Sequence, residues 1–198
     1  MNFTYIKKII IIISLFAVTI GTCGCGSKGE NAKVNTIVLN YLEQQGVSEC
    51  YINSCDESLY DCIIFEKGRI RWDVLIQKVE YVISEEQVVE YSVNVVNNYE
   101  YVANLYGLDL KDYYINILGL GEEDFYQQCY SEGLYDIQRA LLVGYIAEKE
   151  HILVSEEDIK QFCNREEYDM MQKDPNLKNN LMFGALEEKV VVFLEGYE

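Results

Sequence analysis

The residues best able to do chemistry are few in this chain. Of its 198 residues only His151 carries an imidazole, so any Ser-His-Asp or Cys-His scheme would have to be built on it. It stands beside Glu150 in a short apolar bridge after a long helical pattern, the place of a surface or capping histidine. Beyond the N-terminal segment lie Cys50, Cys55, Cys62, Cys129 and Cys163. The close set Cys50, Cys55 and Cys62 could supply one disulfide in an oxidising compartment, and spacing alone does not fix its connectivity. No CxxC pair occurs among these five, and structural zinc wants about four nitrogen or sulfur ligands. The acid runs Glu122-Glu123-Asp124 and Glu156-Glu157-Asp158 both stand where a helix opens, where carboxylates complement the positive end of the macrodipole. No phosphate-cradling glycine loop and no calcium-loop spacing is found. No catalytic residue, metal or cofactor is therefore expected, and binding is the chemistry that remains.

Cys23 and Cys25 close a segment of another kind. MNFTYIKKIIIIISLFAVTIGTCGC carries Lys7 and Lys8, then an apolar run from Ile9 to Ile20, then small residues, the three-part layout of an export signal. A spanning helix needs about 20 apolar residues, and this run reaches about 12. The tract resembles the lipobox of bacterial lipoproteins, in which a cysteine after a small residue is diacylated and becomes the new N-terminus. Cys25 has Gly24 before it and Gly26-Ser27-Lys28-Gly29 after it, with Thr22 where an aliphatic residue is usual. Cys23 has Ile20 at that place and Thr22 immediately before it. Cys25 is the preferred lipidation site and Cys23 the alternative; the remaining reading is an ordinary cleaved signal with an incidental cysteine pair. Two acyl chains would suffice as the sole anchor. Residues 1–24 are thus expected to be a signal peptide and residues 25–33 a flexible tether, with the mature chain held at the cell membrane on its extracytoplasmic face.

Charge narrows the partners. Without Lys7 and Lys8, 14 basic residues face 33 acidic ones, which makes nucleic acid an improbable partner. Anionic lipid would repel such a body, so contact with the membrane is expected through the lipid anchor only. Hydrophobic residues make up 49% of the chain, enough for one domain with a small appendage. The single proline favours uninterrupted helices, and 17 tyrosines can bury their rings while their hydroxyls stay wet.

These residues need elements to position them. Thr36 to Gln45 has the apolar spacing of a helix, with Gly46 at its C-terminal stop. CIIFEKGRIRWDVLIQKVEYVI is rich in β-branched and aromatic residues and turns at Glu66-Lys67-Gly68, which predicts a hairpin. Residues 34–83 therefore read as a small α/β appendage. From Ser84 the code is helical. Ser84-Glu85-Glu86-Gln87 predicts a capping box, with apolar positions from Val88 to Leu105 and a stop at Gly107. A short helix follows Asp109 and stops at Gly119; a long one runs from Gly121 to about Lys149, and another starts at Ser155. A loop is expected at Asp174-Pro175-Asn176, before a last helix starting near Leu177 or Leu181 and ending at Leu194. The fold class expected is mainly α: a helical bundle with long arms over residues 84–198, preceded by the α/β segment.

Within that helical half the stretches YEYVANLYGLDLKDYYINILGLGEEDFYQQ, LLVGYIAEKEHILVSEEDIKQF and ALEEKVVVFL resemble the C-terminal domain of trigger factor, the bacterial chaperone, over about Ser84 to Leu194. Four features carry the likeness. They are the Tyr106-Gly107 helix stop with the short helix after it, the opening Gly121 to Phe125, the run Ile146 to Asp158, and the closing helix Leu186 to Leu194 after Pro175. Similar helical modules occur in SurA-like periplasmic proteins and in lipoprotein foldases. The ribosome-docking domain of trigger factor has no counterpart here, and neither does its prolyl isomerase domain.

The resemblance implies helical arms that cradle polypeptide, so the partners expected are unfolded or secreted polypeptide clients, with no ribosome. Tyr99, Tyr106, Tyr113, Tyr114, Ile117 and Phe125 are the candidate peptide-binding residues; the alternative for each is a place in the helical core. The function expected is that of a membrane-anchored extracytoplasmic chaperone-like lipoprotein, working without ATP or covalent chemistry. The alternatives are a diverged peptidyl-prolyl isomerase foldase and a non-catalytic assembly lipoprotein with one fixed partner.

Overall fold

The computed structural model describes residues 32–197; the signal-like segment, Cys23, Cys25 and all but the last two residues of the tether lie outside the described part. In chain order the elements are α1 (Thr36–Gln44), β1 (Tyr51–Cys55), a 3-10 turn (Leu59–Cys62), β2 (Phe65–Glu66), β3 (Arg69–Ile70), α2 (Trp72–Ile76) and β4 (Val79–Val82). They continue with α3 (Glu85–Leu105), α4 (Leu110–Asn116), α5 (Glu122–Lys149), α6 (Glu156–Phe162), α7 (Arg165–Met171) and α8 (Pro175–Glu195). The fold class is mainly α with a small strand segment, as the sequence predicts. No helix among the described residues is long and apolar enough to cross a membrane. The chain folds as two compact units.

The first unit takes residues 45–49 and 83–137. Ser84 caps α3, its Oγ accepting from the Gln87 amide at 3.3 Å. The capping box predicted there is only half formed. The Gln87 side chain is buried and does not reach back; it donates to the Glu49 carbonyl at 3.3 Å and accepts from the Glu49 amide at 2.6 Å. A buried side-chain amide needs both a donor and an acceptor, and the Glu49 peptide supplies both. Asn94 holds the same short segment through the Gln45 carbonyl at 3.2 Å. Helix α3 ends in a Schellman closure, with Leu108 N–H donating to Ala103 C=O and Gly107 N–H to Asn104 C=O, both at 3.0 Å. Gly107 there has φ +70, a conformation costly for any residue with a Cβ. Asp109 caps α4 through Asp112 N–H at 2.7 Å. Helices α3 and α5 pack closely at Ser92, where a Cβ on Gly133 would come within 2.7 Å of Ser92 Oγ.

The second unit takes residues 32–44, 50–82 and 138–197. Asn35 caps α1, its Oδ1 accepting from Ile37 N–H at 2.9 Å, and Asn35 N–H donates to Gly144 C=O at 3.1 Å. Val34 and Val38 fill the notch that Gly144 leaves: a Cβ there would lie 2.5 Å from Val34 Cγ1. Tyr41 of α1 stacks on Phe183 of α8, ring centroids 4.2 Å apart. Strand β1 pairs antiparallel with β4 in the register Tyr51↔Val82, Ile52↔Tyr81, Ser54↔Glu80, with a bulge between Ile52 and Ser54. On its other side Ala32 bridges Ile52. Ile159, Met171, Leu181 and Ala185 form a cluster among α6, α7 and α8.

The hairpin expected at Glu66-Lys67-Gly68 forms, but it is shorter than the stretch from Cys62 to Ile83 suggests. Lys67 and Gly68, at φ +53 and +74, make the tight turn with two positive φ values that suits a two-residue hairpin loop. Its strands β2 and β3 last only two residues each. Trp72, Leu75 and Ile76 stand at helical spacing and are buried, so the chain coils into α2. The next strand, β4, finds its partner in β1 instead.

The proline loop is corrected. Pro175 is the first residue of α8, and Asp174 Oδ1 accepts from Asn176 and Leu177 N–H at 2.9 and 3.3 Å. Proline suits that position because its missing N–H would be unpaired there anyway. Between α6 and α8 the sequence reading names no helix, yet α7 forms. Its capping box has Asn164 and Glu167 each accepting from the other's backbone amide at 3.0 Å.

Candidate functional site

The six residues predicted from the sequence all fall in the first unit, on α3 and its C-terminal cap, on α4, in the turn after α4 and at the start of α5. The five aromatic ones form one assembly with two tiers. Phe125 is its hub and is fully buried. It stands edge-on to Tyr99 at 5.4 Å, stacks on Tyr114 at 4.7 Å and meets Tyr126 edge-on at 5.2 Å. Tyr113, also buried, bridges Tyr99 and Tyr106 at 6.5 and 6.0 Å. Tyr106 and Ile117 face outward, 69% and 56% exposed.

Tyr99 sits between the tiers. Its hydroxyl donates to Glu132 Oε1 at 2.9 Å, while Gln128 Nε2 donates to the Tyr99 oxygen at 3.1 Å and to Glu132 at 2.8 Å. Burial, then the Glu132 carboxylate, pushes the Tyr99 hydroxyl up to about 12. These bonds fix the ring that Phe125 and Tyr113 lean on, so the base of the assembly is rigid.

Beside the two outward candidates stand Leu105, Tyr101 and Ile115, 68%, 66% and 45% exposed. Sequence reasoning counted Leu105 as a core position of its helix and did not single out the other two. A signal existed for Leu105: it is the last residue of α3, immediately before the Tyr106-Gly107 stop. Large apolar side chains this exposed and close together along the chain are what an interaction surface presents. Lys111 is the only lysine or arginine within residues 45–49 and 83–137, so the surroundings of this surface are acidic.

Elsewhere the groups that could do chemistry are committed to structure. His151 adopts φ +55 at the end of α5, where Ile152 N–H donates to Ala147 C=O at 2.8 Å; it is the helix's C-terminal cap residue, as expected of it. The five cysteines from Cys50 onward are free thiols, so no bridge joins the set Cys50, Cys55 and Cys62. Burial pushes Cys50 up to about 11 and Cys129 up to about 12, which keeps both protonated and unreactive near neutral pH. The acids of α6 serve its cap, with Ser155 and Asp158 forming a capping box and Lys189 pairing Asp158 at 2.9 Å. Among the described residues no group of three His, Cys, Asp or Glu side chains is placed to hold a metal ion.

The first unit thus carries exposed apolar side chains at the ends of α3 and α4, beside a buried aromatic cluster centred on Phe125. The model of the bacterial trigger factor protein C-terminus matches residues 71–194, and the chain belongs to this family. The match begins at Arg71, so it takes in α2 and β4 as well as the helices from Ser84 onward. No curated protein and no solved structure matches the chain. Family membership indicates chaperone-like binding of polypeptide.

Proposed function

We propose that the chain is a lipoprotein held on the extracytoplasmic face of the cell membrane, where it shields exposed apolar segments of exported polypeptides. The observation that carries the binding step is the exposure of Leu105, Tyr106 and Ile117, large apolar side chains close together along the chain. Apolar client side chains laid on that rim would leave water on both partners, which is favourable by about 25 cal/mol per Å². No nucleotide or covalent step is needed. The test is suppression of aggregation of a denatured client by the mature chain. Loss of light scattering at near-equal amounts is expected, and undiminished scattering at several-fold excess of the chain would overturn the proposal.

The anchor rests on the order Lys7-Lys8, apolar run, Gly24-Cys25, and on the small polar residues that follow. Its location makes exported chains the clients and leaves ribosomes out of reach. Growth with labelled palmitate is expected to mark the wild type and not Cys25→Ala. Labelling that survives in Cys25→Ala and is lost in Cys23→Ala moves the lipid to Cys23, and no labelling of the wild type removes the anchor. A proline-peptide isomerisation assay is expected to run at its uncatalysed rate.

A further inference from the structure

The outer face of the sheet in the second unit has no part in client binding as proposed above. Its register makes it a row of three exposed side chains. Ala32 bridges Ile52 antiparallel, its N–H donating to Ile52 C=O at 3.0 Å, so the next residue, Lys33, comes abreast of Tyr51. Tyr51 in turn pairs with Val82. Residues directly opposite in antiparallel strands point to the same face. Lys33 is exposed, and Tyr51 and Val82 are 36% and 38% exposed, whereas their neighbour Ile52 on the opposite face is fully buried. Asn53 and Glu80 complete the outer face, Asn53 Nδ2 donating to Glu80 Oε2 at 2.8 Å.

We propose that this row, Lys33 with Tyr51 and Val82, docks on the lipid headgroups of the membrane that holds the chain. The inference rests on the lipid anchor at Cys25. From Cys25 to Ala32 there are seven Cα steps, a reach of at most about 25 Å. The row begins one residue after Ala32, where the described chain joins the sheet, so it lies within a short reach of the anchored cysteine. Its residue types suit the place. A tyrosine lays an apolar ring in the interface and keeps its hydroxyl in water, a lysine extends its ammonium to phosphate along an apolar stem, and valine adds aliphatic surface.

Charge selects the orientation. The mature chain is strongly acidic, and an anionic bilayer repels most of its faces. On this face the ammonium of Lys33 stands against the single carboxylate of Glu80, which Asn53 and Ser54 Oγ (at 3.0 Å) hold within the sheet, so the face is near neutral where the body as a whole is acidic. The expectation that the lipid alone touches the membrane is thereby narrowed: the body is kept off except where its own tether presents this row.

The test uses the full lipidated chain in vesicles of phosphatidylethanolamine and phosphatidylglycerol, beside a variant with a long Gly-Ser insertion between Ser27 and Lys28. Flotation with the vesicles reports the anchor. Acetylation of Lys33 by an activated ester, read by mass spectrometry, reports the docking. Lys33 is expected to react about fivefold more slowly in the wild type than in the long-tether variant, the bias one lysine gives at an anionic surface. Tyr51→Ser with Val82→Ser is expected to abolish the difference. Flotation with equal Lys33 reactivity in the two chains overturns the docking and leaves the anchor standing. Failure of the wild type to float overturns the anchor and the docking with it. Protection in detergent that grows with protein concentration assigns the row to a second copy of the chain, and also overturns the proposal.

Discussion

Replacing Tyr106 and Ile117 together by serine separates binding from folding more cleanly than any other change in the first unit. A tyrosine side chain offers roughly 200 Å², of which Tyr106 leaves 69% in water, and Ile117 leaves 56% of a somewhat smaller surface exposed. Together they present roughly 240 Å² to a client, about 6 kcal/mol if all of it were apolar and fully covered. A mobile client covers only part of such a rim, and association itself has a cost, so about 2–3 kcal/mol is expected to be lost. That is roughly a 30- to 150-fold weaker affinity. Folding should hardly change, because both side chains are already largely in water and only the Tyr106–Tyr113 ring contact is given up, worth about 0.5–1 kcal/mol. Phe125→Ala is the contrasting variant: with no exposed surface to give to a client, it should cost about 3–5 kcal/mol of stability. The assay is fluorescence anisotropy of a labelled unfolded peptide titrated with each variant, beside its thermal melt. An affinity within about twofold of wild type, with an unchanged melt, would refute the assignment of the rim as the binding surface.

Other consequences are independent of the client. His151→Gly removes a side chain from a left-handed position at the end of α5 and is expected to raise stability by about 0.5–1 kcal/mol, read as a rise of a few degrees in Tm. Gly144→Ala drives a methyl against Val34 and Val38 and should cost about 1–3 kcal/mol in a urea titration. Stability should also fall in alkali. The folded values of Cys50, about 11, and of Cys129, Tyr99 and Tyr145, about 12, lie above the unfolded ones of about 8.5 for thiols and 10 for phenols. The native chain thus holds protons that the unfolded chain releases. The contribution is whole below about pH 8.5 and drains away as the pH climbs to about 12, and a urea midpoint that stays flat across that window would refute it.

Much of the helical half was legible because its signals are local. Ser84, Asp109 and Ser155 cap helices through bonds to residues three positions away, and Gly107 and Gly119 take the positive φ that stops a helix. The appendage was harder because its decisive contact is distant in sequence. Nothing within YINSC announces that its partner is VEYV, after an intervening turn, hairpin and helix. Trp72 to Ile76 reads as strand by residue type, and only the burial of Trp72, Leu75 and Ile76 on one face makes it a helix. At the binding surface the sequence picked out one spatial cluster but not its tiers. Spacing puts Tyr106, Tyr113 and Phe125 on helices alike, and whether a face meets a neighbour or water depends on where that neighbour ends. Leu105 is exposed on that account.

The bond from Asn35 N–H to Gly144 C=O has a mechanical meaning. A tug on the chain ahead of Ala32 does not peel α1 away turn by turn. It meets the Ala32–Ile52 bond and then a clip into the side of α5, seated in a slot that only a glycine leaves open. Tension is handed to the longest helix among the described residues, so the N-terminal joint is built as a strain relief, the way a cable is clamped before it reaches its terminals.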